Sequence, residues 1–320
     1  MSRQTITWLI IAASFLLIGC IVFGGAMTML NWDFSKLSTT KFETNEYIIQ
    51  QDYHHILVTT NTADITFVPS ENEACSVVCF APENLKHTAA VKNGTLEIRV
   101  NDTRKWYDHM GFHFRAPKIT VYLPNSQYGT LTVKASTGNV DIPKDFQFES
   151  IDITQSTGAV RNYACASAHI KIKTTTGDIC VADLSAVSLD LSVSTGKVTV
   201  SNVQCQEDVK LQVSTGKAAI TDLTCQNLTS SGDTGSITLS NVIAKESFSI
   251  IRSTGSVKLD SCDAATLFIK TNTGNVTGTL LSDKVFLTQT DTGSIHVPHT
   301  TAGGKCEIIT DTGNIKIEII

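Results

Sequence analysis

Asp-Thr-Gly motifs are the first candidates for chemistry in this chain. Asp233 and Asp291 each begin an Asp-Thr-Gly-Ser stretch, and Asp311 begins a further Asp-Thr-Gly. Aspartic proteases carry such a motif on each of two lobes, which hold two carboxylates about 3 Å apart around one shared proton. The residue before other Thr-Gly dipeptides of this chain is serine instead: Ser136, Ser156, Ser194, Ser214 and Ser253. A polar turn residue explains the motif, although Asp291 and Asp311 could stack closely enough to attract a cation.

Histidines offer a second candidate site. His109 and His113 lie four residues apart, with Asp108 adjacent, a spacing that places two metal ligands on one face of a helix. The surrounding sequence has strand or loop character, however, and no third ligand lies nearby. The calcium-binding Gly-Gly-x-Gly-x-Asp repeat is also absent. The sequence therefore predicts neither a metal nor a cofactor.

Composition excludes several classes of protein. Of the 320 residues, 42% are hydrophobic and 17% are charged, which is too apolar for a disordered chain. The formal net charge is −5, and no basic stripe is present to hold phosphates, so nucleic acid is not an expected partner.

The nine cysteines do not form an obvious disulfide framework. Cys75 and Cys79 are four residues apart in a predicted strand, about 13 Å, which is too far for a bond. Only Cys205 and Cys225, which are twenty residues apart in the sequence, are spaced so that they could lie side by side on neighbouring strands. The favoured interpretation is that these thiols serve as small buried hydrophobes. A disulfide between Cys205 and Cys225 is the alternative interpretation.

A repeat of 19 or 20 residues is the dominant pattern in the chain. The dipeptide Thr-Gly recurs ten times, which is typical of a solenoid. Its glycines are Gly138, Gly158, Gly177, Gly196, Gly216, Gly235, Gly255, Gly274, Gly293 and Gly313.

Apolar residues around each glycine follow the two-residue period of strands. Around Gly196, Leu189 and Leu191 precede the turn, and Val198 and Val200 follow it. Each repeat therefore predicts two short strands about a Thr-Gly turn, for which glycine supplies a positive φ. A second corner is expected six residues after the glycine, where Asp or Asn recurs. A third, looser bend would absorb the variation in length.

The stacked threonines invite comparison with ice-binding faces. The residue two before each threonine varies from Ala135 to Gln155 to Arg252. Such variation does not fit the regular paired rows that an ice-binding face needs.

The fold expected from these patterns is an all-β, single-stranded β-solenoid of about ten coils, residues 125–320. Ile56, Val58, Ile65 and Phe67 mark a degenerate first coil around Thr62-Ala63. This coil belongs to an expected N-terminal β cap, residues 46–124, because terminal repeats cover an otherwise open edge. Residues 33–45 would form a polar linker.

Aromatic residues are dense in one part of the expected cap, between Arg104 and Arg115. Trp106, Tyr107, Phe112 and Phe114 are candidate partner-binding residues, since interfaces combine aromatics with arginine. The alternative interpretation is a hydrophobic plug over the first coil.

The N-terminal segment 1–32 predicts a membrane anchor. From Gln4 to Trp32 there is no charged residue, and the 26 almost wholly apolar residues from Thr5 to Leu30 reach about 39 Å as a helix, enough to cross a bilayer core of about 30 Å. A retained signal-anchor is favoured, with the bulk of the chain outside the cytoplasm. A cleaved signal peptide and lipidation at Cys20, which ends Leu-Ile-Gly-Cys, remain open.

These residues together resemble a known family. Asn61-Thr62-Ala63-Asp64-Ile65, Asn93-Gly94-Thr95-Leu96 and the Ser-Thr-Gly coils are similar to the bacterial "putative adhesin" family of cell-surface β-solenoids, a domain of unknown function. The anchor followed by Asp33-Phe34-Ser35-Lys36-Leu37 resembles members from Gram-positive bacteria. The resemblance implies a cell-envelope location and no catalytic residues.

The expected function is a non-catalytic adhesin-like module that binds or senses envelope components. The alternatives are a cell-wall carbohydrate-active enzyme and a structural scaffold for a neighbouring envelope-stress system. The last strand, Ile315 to Ile320, has no capping sequence after it. We therefore expect an open C-terminal edge strand that could pair with another copy or with a partner protein.

Overall fold

The computed structural model describes residues 2–33, 41–71, 74–102 and 116–320. Its one helix, α1 (Arg3–Met29), has 27 residues, and the Ser2 hydroxyl caps it by accepting a hydrogen bond from the Thr5 amide at 3.2 Å. The mean hydropathy of its most apolar window is 2.6. By length and composition, α1 is able to cross a membrane.

Twenty-five strands follow α1 in the described residues, and they form one continuous sheet that winds into a rod. The first seven are β1 (Phe42–Ile49), β2 (His55–Thr62), β3 (Asp64–Pro69), β4 (Cys75–Pro82), β5 (Leu85–Lys92), β6 (Thr95–Asp102) and β7 (Lys118–Leu123). The next ten are β8 (Gln127–Thr137), β9 (Val140–Ile142), β10 (Gln147–Thr157), β11 (Val160–Asn162), β12 (Cys165–Ala166), β13 (His169–Thr176), β14 (Ile179–Ala186), β15 (Ser188–Thr195), β16 (Val198–Cys205) and β17 (Asp208–Thr215). The last eight are β18 (Ala218–Thr234), β19 (Ile237–Thr254), β20 (Val257–Thr273), β21 (Val276–Leu280), β22 (Lys284–Thr292), β23 (Ile295–His296), β24 (Gly304–Thr312) and β25 (Ile315–Ile319).

The repeats form the coils of a β-solenoid, as the sequence predicts. Each coil runs from a strand through the Thr-Gly turn into a second strand, and equivalent strands of successive coils pair in parallel. Leu189 of β15 lies beside Val209 of β17, and Val198 of β16 lies beside Ala218 of β18. These alternating apolar side chains are buried and form one core along the rod.

Two corners of the coil have well-defined backbone geometry. All ten turn glycines have a positive φ, between 127° and 159°. At the second corner five residues adopt the left-handed conformation, with φ between 51° and 55°: Asp183, Asn202, Asp222, Asn241 and Ser261. Neighbouring corners bond to each other, because the Asn202 side-chain amide donates to the Asp183 carboxylate at 2.8 Å.

The third bend absorbs the difference between repeats of 19 and 20 residues. The pairing register between β18 and β19 shifts between Cys225 and Asn227, and the register between β19 and β20 shifts between Ala244 and Ser247. Both shifts lie after the second corner, where the sequence predicts a looser bend.

The row two residues before each threonine points into the core rather than onto a surface. Gln155 is 3% exposed and Arg252 is 1% exposed. The Arg252 guanidinium donates to the Val213 carbonyl oxygen at 3.2 Å and to the Ser230 hydroxyl at 2.9 Å. Gly232, in the coil between, leaves room for it, since a Cβ there would lie 2.0 Å from Arg252 Nη1. The variation in this row therefore reflects core packing.

Antiparallel strands are added to the coils at the N-terminal end of the rod. β2 and β3 form a coil that stacks on β8 and β9 on one side and on β6 and β7 on the other. β5 pairs antiparallel with β6, and β4 pairs antiparallel with both β7 and β1. The Tyr47 hydroxyl of β1 donates to the His87 carbonyl oxygen of β5 at 2.5 Å, which ties the two outer strands together.

The first strand begins inside the segment that composition predicts as a linker. β1 starts at Phe42, whose ring stacks on Phe80 of β4 with ring centroids 5.0 Å apart. Polar residues lie on both faces of β1, so its sequence does not show the alternation of apolar and polar residues that predicts a strand. We propose that the cap begins at Phe42 rather than at residue 46.

The last two coils are stacked in reverse order. β24 pairs with β20 on one side and with β22 on the other, and β25 pairs with β21 and β23. The final coil of the sequence is thus inserted between the two coils that precede it. The expectation that residues 315–320 form the terminal edge is wrong, because the terminal coil is β22–β23. β25 pairs with β21 from Ile315 to Ile319 and with β23 at Ile315 and Lys316.

Candidate functional site

A groove runs along the third bend of the coils. It joins two cavities of about 360 Å³ and 550 Å³, which share Ala166, Ser167 and Ser185. The groove extends from His54 near the cap to Lys245. We call this surface the corner groove.

One row of polar side chains follows the corner groove. Gln127 pairs with Gln147, and Gln147 pairs with Cys165. The Ser185 amide donates to Cys165 Sγ at 3.4 Å and continues the row. Ser185 then pairs with Gln204, and Gln204 with Thr224. Six uncharged side chains therefore line about 24 Å of the rod at the inter-strand spacing of about 4.8 Å.

The neighbouring sheet face has a different character. There Asp152, Lys171, Asp190 and Lys210 alternate in charge on successive strands. The Lys171 ammonium lies 4.0 Å from the Asp190 carboxylate, and both side chains are largely exposed. Such a ladder of opposite charges is typical of a solvated surface. The row along the corner groove instead offers amides, hydroxyls and a thiol, and Glu149 and Lys245 also line the groove.

Rigid aromatic packing forms the floor at one end of the groove. The Tyr128 hydroxyl donates to the Pro124 carbonyl oxygen at 2.7 Å, and its ring lies 5.7 Å from Phe148. Burial raises the pKa of Tyr128 to about 12. The phenol is therefore neutral near pH 7, and its hydrogen bond to the Pro124 carbonyl oxygen holds the ring in place at the end of the groove.

Buried cysteine thiols also stay neutral. Burial raises the pKa of Cys205 and of Cys225 to about 12 in each case. Both residues are buried with free thiols, and they follow the paired residues Gln204 and Thr224 on adjacent coils. A thiol with so high a pKa is a poor nucleophile. The groove can therefore hold a ligand through hydrogen bonds, but Cys205 and Cys225 are unsuited to attack one.

The acidic motifs do not form a protease-like pair. Asp291 and Asp311 lie side by side on adjacent coils, because Thr290 pairs with Thr310 and Thr292 with Thr312. Both aspartates are exposed and belong to one solenoid rather than to two lobes. Across the residues that the structure describes, no group of three or more His, Cys, Asp and Glu side chains is placed to hold a metal ion.

The aromatic candidates cannot be placed. Trp106, Tyr107, Phe112 and Phe114 lie outside the described residues, as do His109 and His113. Sequence reasoning missed the corner groove itself. Its only signal is a row of uncharged polar residues at the repeat spacing, and length variation at the third bend blurs that spacing.

The family of the chain follows from its coils. A sequence model of the family described as Toastrack DUF4097 matches residues 53–318, which includes all ten Thr-Gly turns. The chain belongs to the Toastrack DUF4097 family. No protein of curated function matches this Toastrack chain.

Several solved structures are similar to this Toastrack chain. A putative adhesin from Bacteroides fragilis is 16% identical with a TM-score of 0.43, and the match covers 88% of this chain and 99% of that one. A putative lipid binding protein from Parabacteroides distasonis is 15% identical with a TM-score of 0.47, covering 88% and 98%. A putative cell adhesion protein from Clostridium sporogenes is 8% identical with a TM-score of 0.23, covering 88% and 100%. These likenesses are too distant to transfer a ligand to this chain.

Proposed function

We propose that the protein is a membrane-anchored, non-catalytic binding module of the cell envelope, with its rod outside the cytoplasm. α1 would be the anchor, since its 27 residues reach about 40 Å and a bilayer core needs about 30 Å. Arg3 is the first residue of α1, while charges of both signs, from Asp33 to Glu43, follow the helix. This bias in positive charge favours a cytoplasmic N-terminus.

The corner groove is the observation that carries the binding role. We infer that it holds an extended, uncharged ligand rich in hydroxyl groups, such as a strand of wall polysaccharide. Side-chain amides and hydroxyls can each donate and accept hydrogen bonds, which suits a chain of hydroxyl groups. A rigid rod presents these groups at a fixed repeat and so lowers the entropy lost on binding.

Blocking the groove tests this proposal. Ser185→Arg combined with Gln204→Arg places two long side chains across it, and Gln212→Arg on the neighbouring exposed face is the matched control. The full chain, solubilised in detergent, is sedimented with insoluble bacterial cell wall. We expect the wild type and Gln212→Arg to cosediment and the double variant to lose at least tenfold in affinity, since arginine fills the site. Equal binding by all three proteins, or no binding by the wild type, would contradict the proposal.

A further inference from the structure

Two cysteines lie side by side on neighbouring coils of the rod. Cys205 ends β16, and Cys225 lies in β18 on the next coil. Each directly follows one member of the pair Gln204 and Thr224. Both side chains point into the core, since Cys205 is 7% exposed and Cys225 is completely buried. Neighbouring strands are about 4.8 Å apart, which lies within the span of about 4.4–6.8 Å between the α-carbons of disulfide-bonded cysteines.

Alanine occupies the same inward position on the flanking coils. Ala186 pairs with Cys205 on one side. On the other side Cys225 pairs with Ala244, which in turn pairs with Ala264. The two sulfur-containing side chains are therefore neighbours in a row that otherwise holds methyl groups. Burial raises the pKa of Cys225, and the charge that an ionised Cys205 would carry raises it further, which is consistent with two thiols in close proximity.

The other cysteines of the described residues have no cysteine beside them on a paired strand. Cys20 lies in α1, and Cys75 and Cys79 lie on the same strand. The remaining pairs are Cys165 with Gln147, Cys180 with Arg161 and Thr199, Cys262 with Leu280, and Cys306 with Leu267 and Phe286.

We propose that Cys205 and Cys225 form a disulfide as the coil closes outside the cytoplasm, where thiols meet exported disulfides. Both thiols are free in the structure, which is the reduced form of the pair. The disulfide of an exported thiol–disulfide oxidoreductase breaks, and the bond between the two cysteine sulfurs forms. Two electrons pass from the cysteine thiols to that disulfide, and two protons end on its released thiols. Only the supply of oxidant rests on the proposed location.

Burial determines when this exchange takes place. In the unfolded chain a cysteine has a pKa of about 8.5, so part of it is the reactive thiolate. In the folded rod burial raises the pKa of Cys205 and of Cys225 to about 12. Almost no thiolate is then left at neutral pH. The exchange therefore belongs to folding, and the folded rod protects whichever state it has reached.

The bond would fix the rod at its loosest bend. The register between β18 and β19 shifts directly after Cys225, before Asn227. Gln204 and Thr224 belong to the polar row of the corner groove, so a bond between the residues that follow them would hold this part of the row in place. Closing a loop between cysteines 20 residues apart also removes conformational freedom from the unfolded chain.

The first test refolds the detergent-solubilised full chain in reduced and oxidised glutathione. Trypsin places Cys205 in peptide 198–210 and Cys225 in peptide 218–245. We expect these peptides to be linked, and two hydrogen atoms lighter than the separate reduced peptides, in the wild type. The matched control Cys306→Ala, which removes a buried cysteine without a cysteine neighbour, should give the same link, and Cys205→Ala should not. Chain that is folded while reduced should link at least about tenfold more slowly in the same mixture.

The second test takes the full chain from the membrane of the cells that make it, with free thiols alkylated at lysis. Linked peptides are expected. Unlinked peptides in both tests would overturn the pairing. A link found only after refolding would overturn the disulfide in the cell together with the extracytoplasmic location. Linked peptides in a chain that fails to bind cell wall would overturn the groove proposal alone.

Thermal unfolding gives an independent readout. The oxidised wild type should unfold about 5 °C or more above the reduced wild type, because the loop stays closed in the unfolded chain. Cys306→Ala should keep this difference, and Cys205→Ala should show none. Equal midpoints for the oxidised and reduced wild type would overturn the stabilising role of the bond.

Discussion

Gly216 illustrates why glycine recurs at the main turn. Its φ is +142°, and a Cβ on it would lie 1.8 Å from the carbonyl oxygen of Gly196 on the preceding coil. Two constraints therefore act together: a backbone conformation that other residues avoid and an approach too close for any side chain. The second constraint comes from stacking and cannot be read from a single repeat.

Even a methyl side chain at this turn should destabilise the fold. We expect Gly216→Ala to lower the free energy of unfolding by roughly 2–4 kcal/mol, since backbone strain and overpacking each cost about 1–3 kcal/mol. Gly94→Ala is the control, because Gly94 has a φ of +72° but no neighbouring atom within 4 Å of the position that a Cβ would take. That change should cost about 1 kcal/mol. Equal losses in urea unfolding of the two variants would exclude the stacking contact as the cause.

At the scale of the elements, the sequence predicted the coils better than the ends. The ten Thr-Gly turns and the apolar residues around them predicted the paired strands, because both features repeat with the coil. The sequence does not reveal that the row containing Gln155 and Arg252 lies inside, because such polar residues normally lie on a surface. Here they bond to groups inside the rod. The exchange of the last two coils could not be predicted, since both carry the same pattern and fit either position.

The exchanged order can be checked by cross-linking. Lys270 pairs with Ile309 in the structure, whereas a stack in sequence order would place Gln289 beside Lys270. The pair Lys270→Cys and Ile309→Cys should therefore form an intramolecular disulfide, since adjacent strands are about 4.8 Å apart. The control pair, Lys270→Cys and Gln289→Cys, is separated by a further strand and should stay reduced. A disulfide in the control pair and none in the first pair would show that the last two coils stack in the order of the sequence.

The cap contains a buried histidine that should make its stability depend on pH. His87 is 1% exposed, and its Nε2 lies 3.1 Å from the Thr60 hydroxyl. Burial lowers the pKa of His87 below its ordinary value of 6.5. The unfolded chain therefore takes up a proton before the folded cap does. Stability is greatest above the unfolded pKa and falls as the pH drops below about 6.5, by up to about 1.4 kcal/mol per pH unit.

His87→Gln separates this effect from those of other groups. Glutamine keeps a polar group near Thr60 but does not titrate. Hydrogen exchange of the β5 amides, compared between about pH 7.5 and pH 5 on either side of the histidine range, should show loss of protection in the wild type. The loss should be much smaller in the variant. The same loss in both proteins would remove His87 as the source.

At the scale of the whole molecule, a rod of stacked coils is joined in sequence to an apolar helix. Composition was enough to predict α1, because its uncharged residues are contiguous. The corner groove was beyond sequence reasoning, because it depends on side chains that stacking brings together from many coils. Binding of wall polysaccharide in the corner groove requires the rod to lie outside the cytoplasm.

Labelling of single cysteines in intact cells tests this orientation most directly. Cys165 and Cys180, the partly exposed cysteines of the described rod, are first replaced by serine. Lys210→Cys then reports on an exposed face of the rod, and Ser2→Cys reports on the N-terminus. A membrane-impermeant maleimide should label Lys210→Cys in intact cells and Ser2→Cys only after permeabilisation. Labelling of Ser2→Cys in intact cells, with Lys210→Cys protected until permeabilisation, would contradict a membrane-anchored module that binds outside the cell.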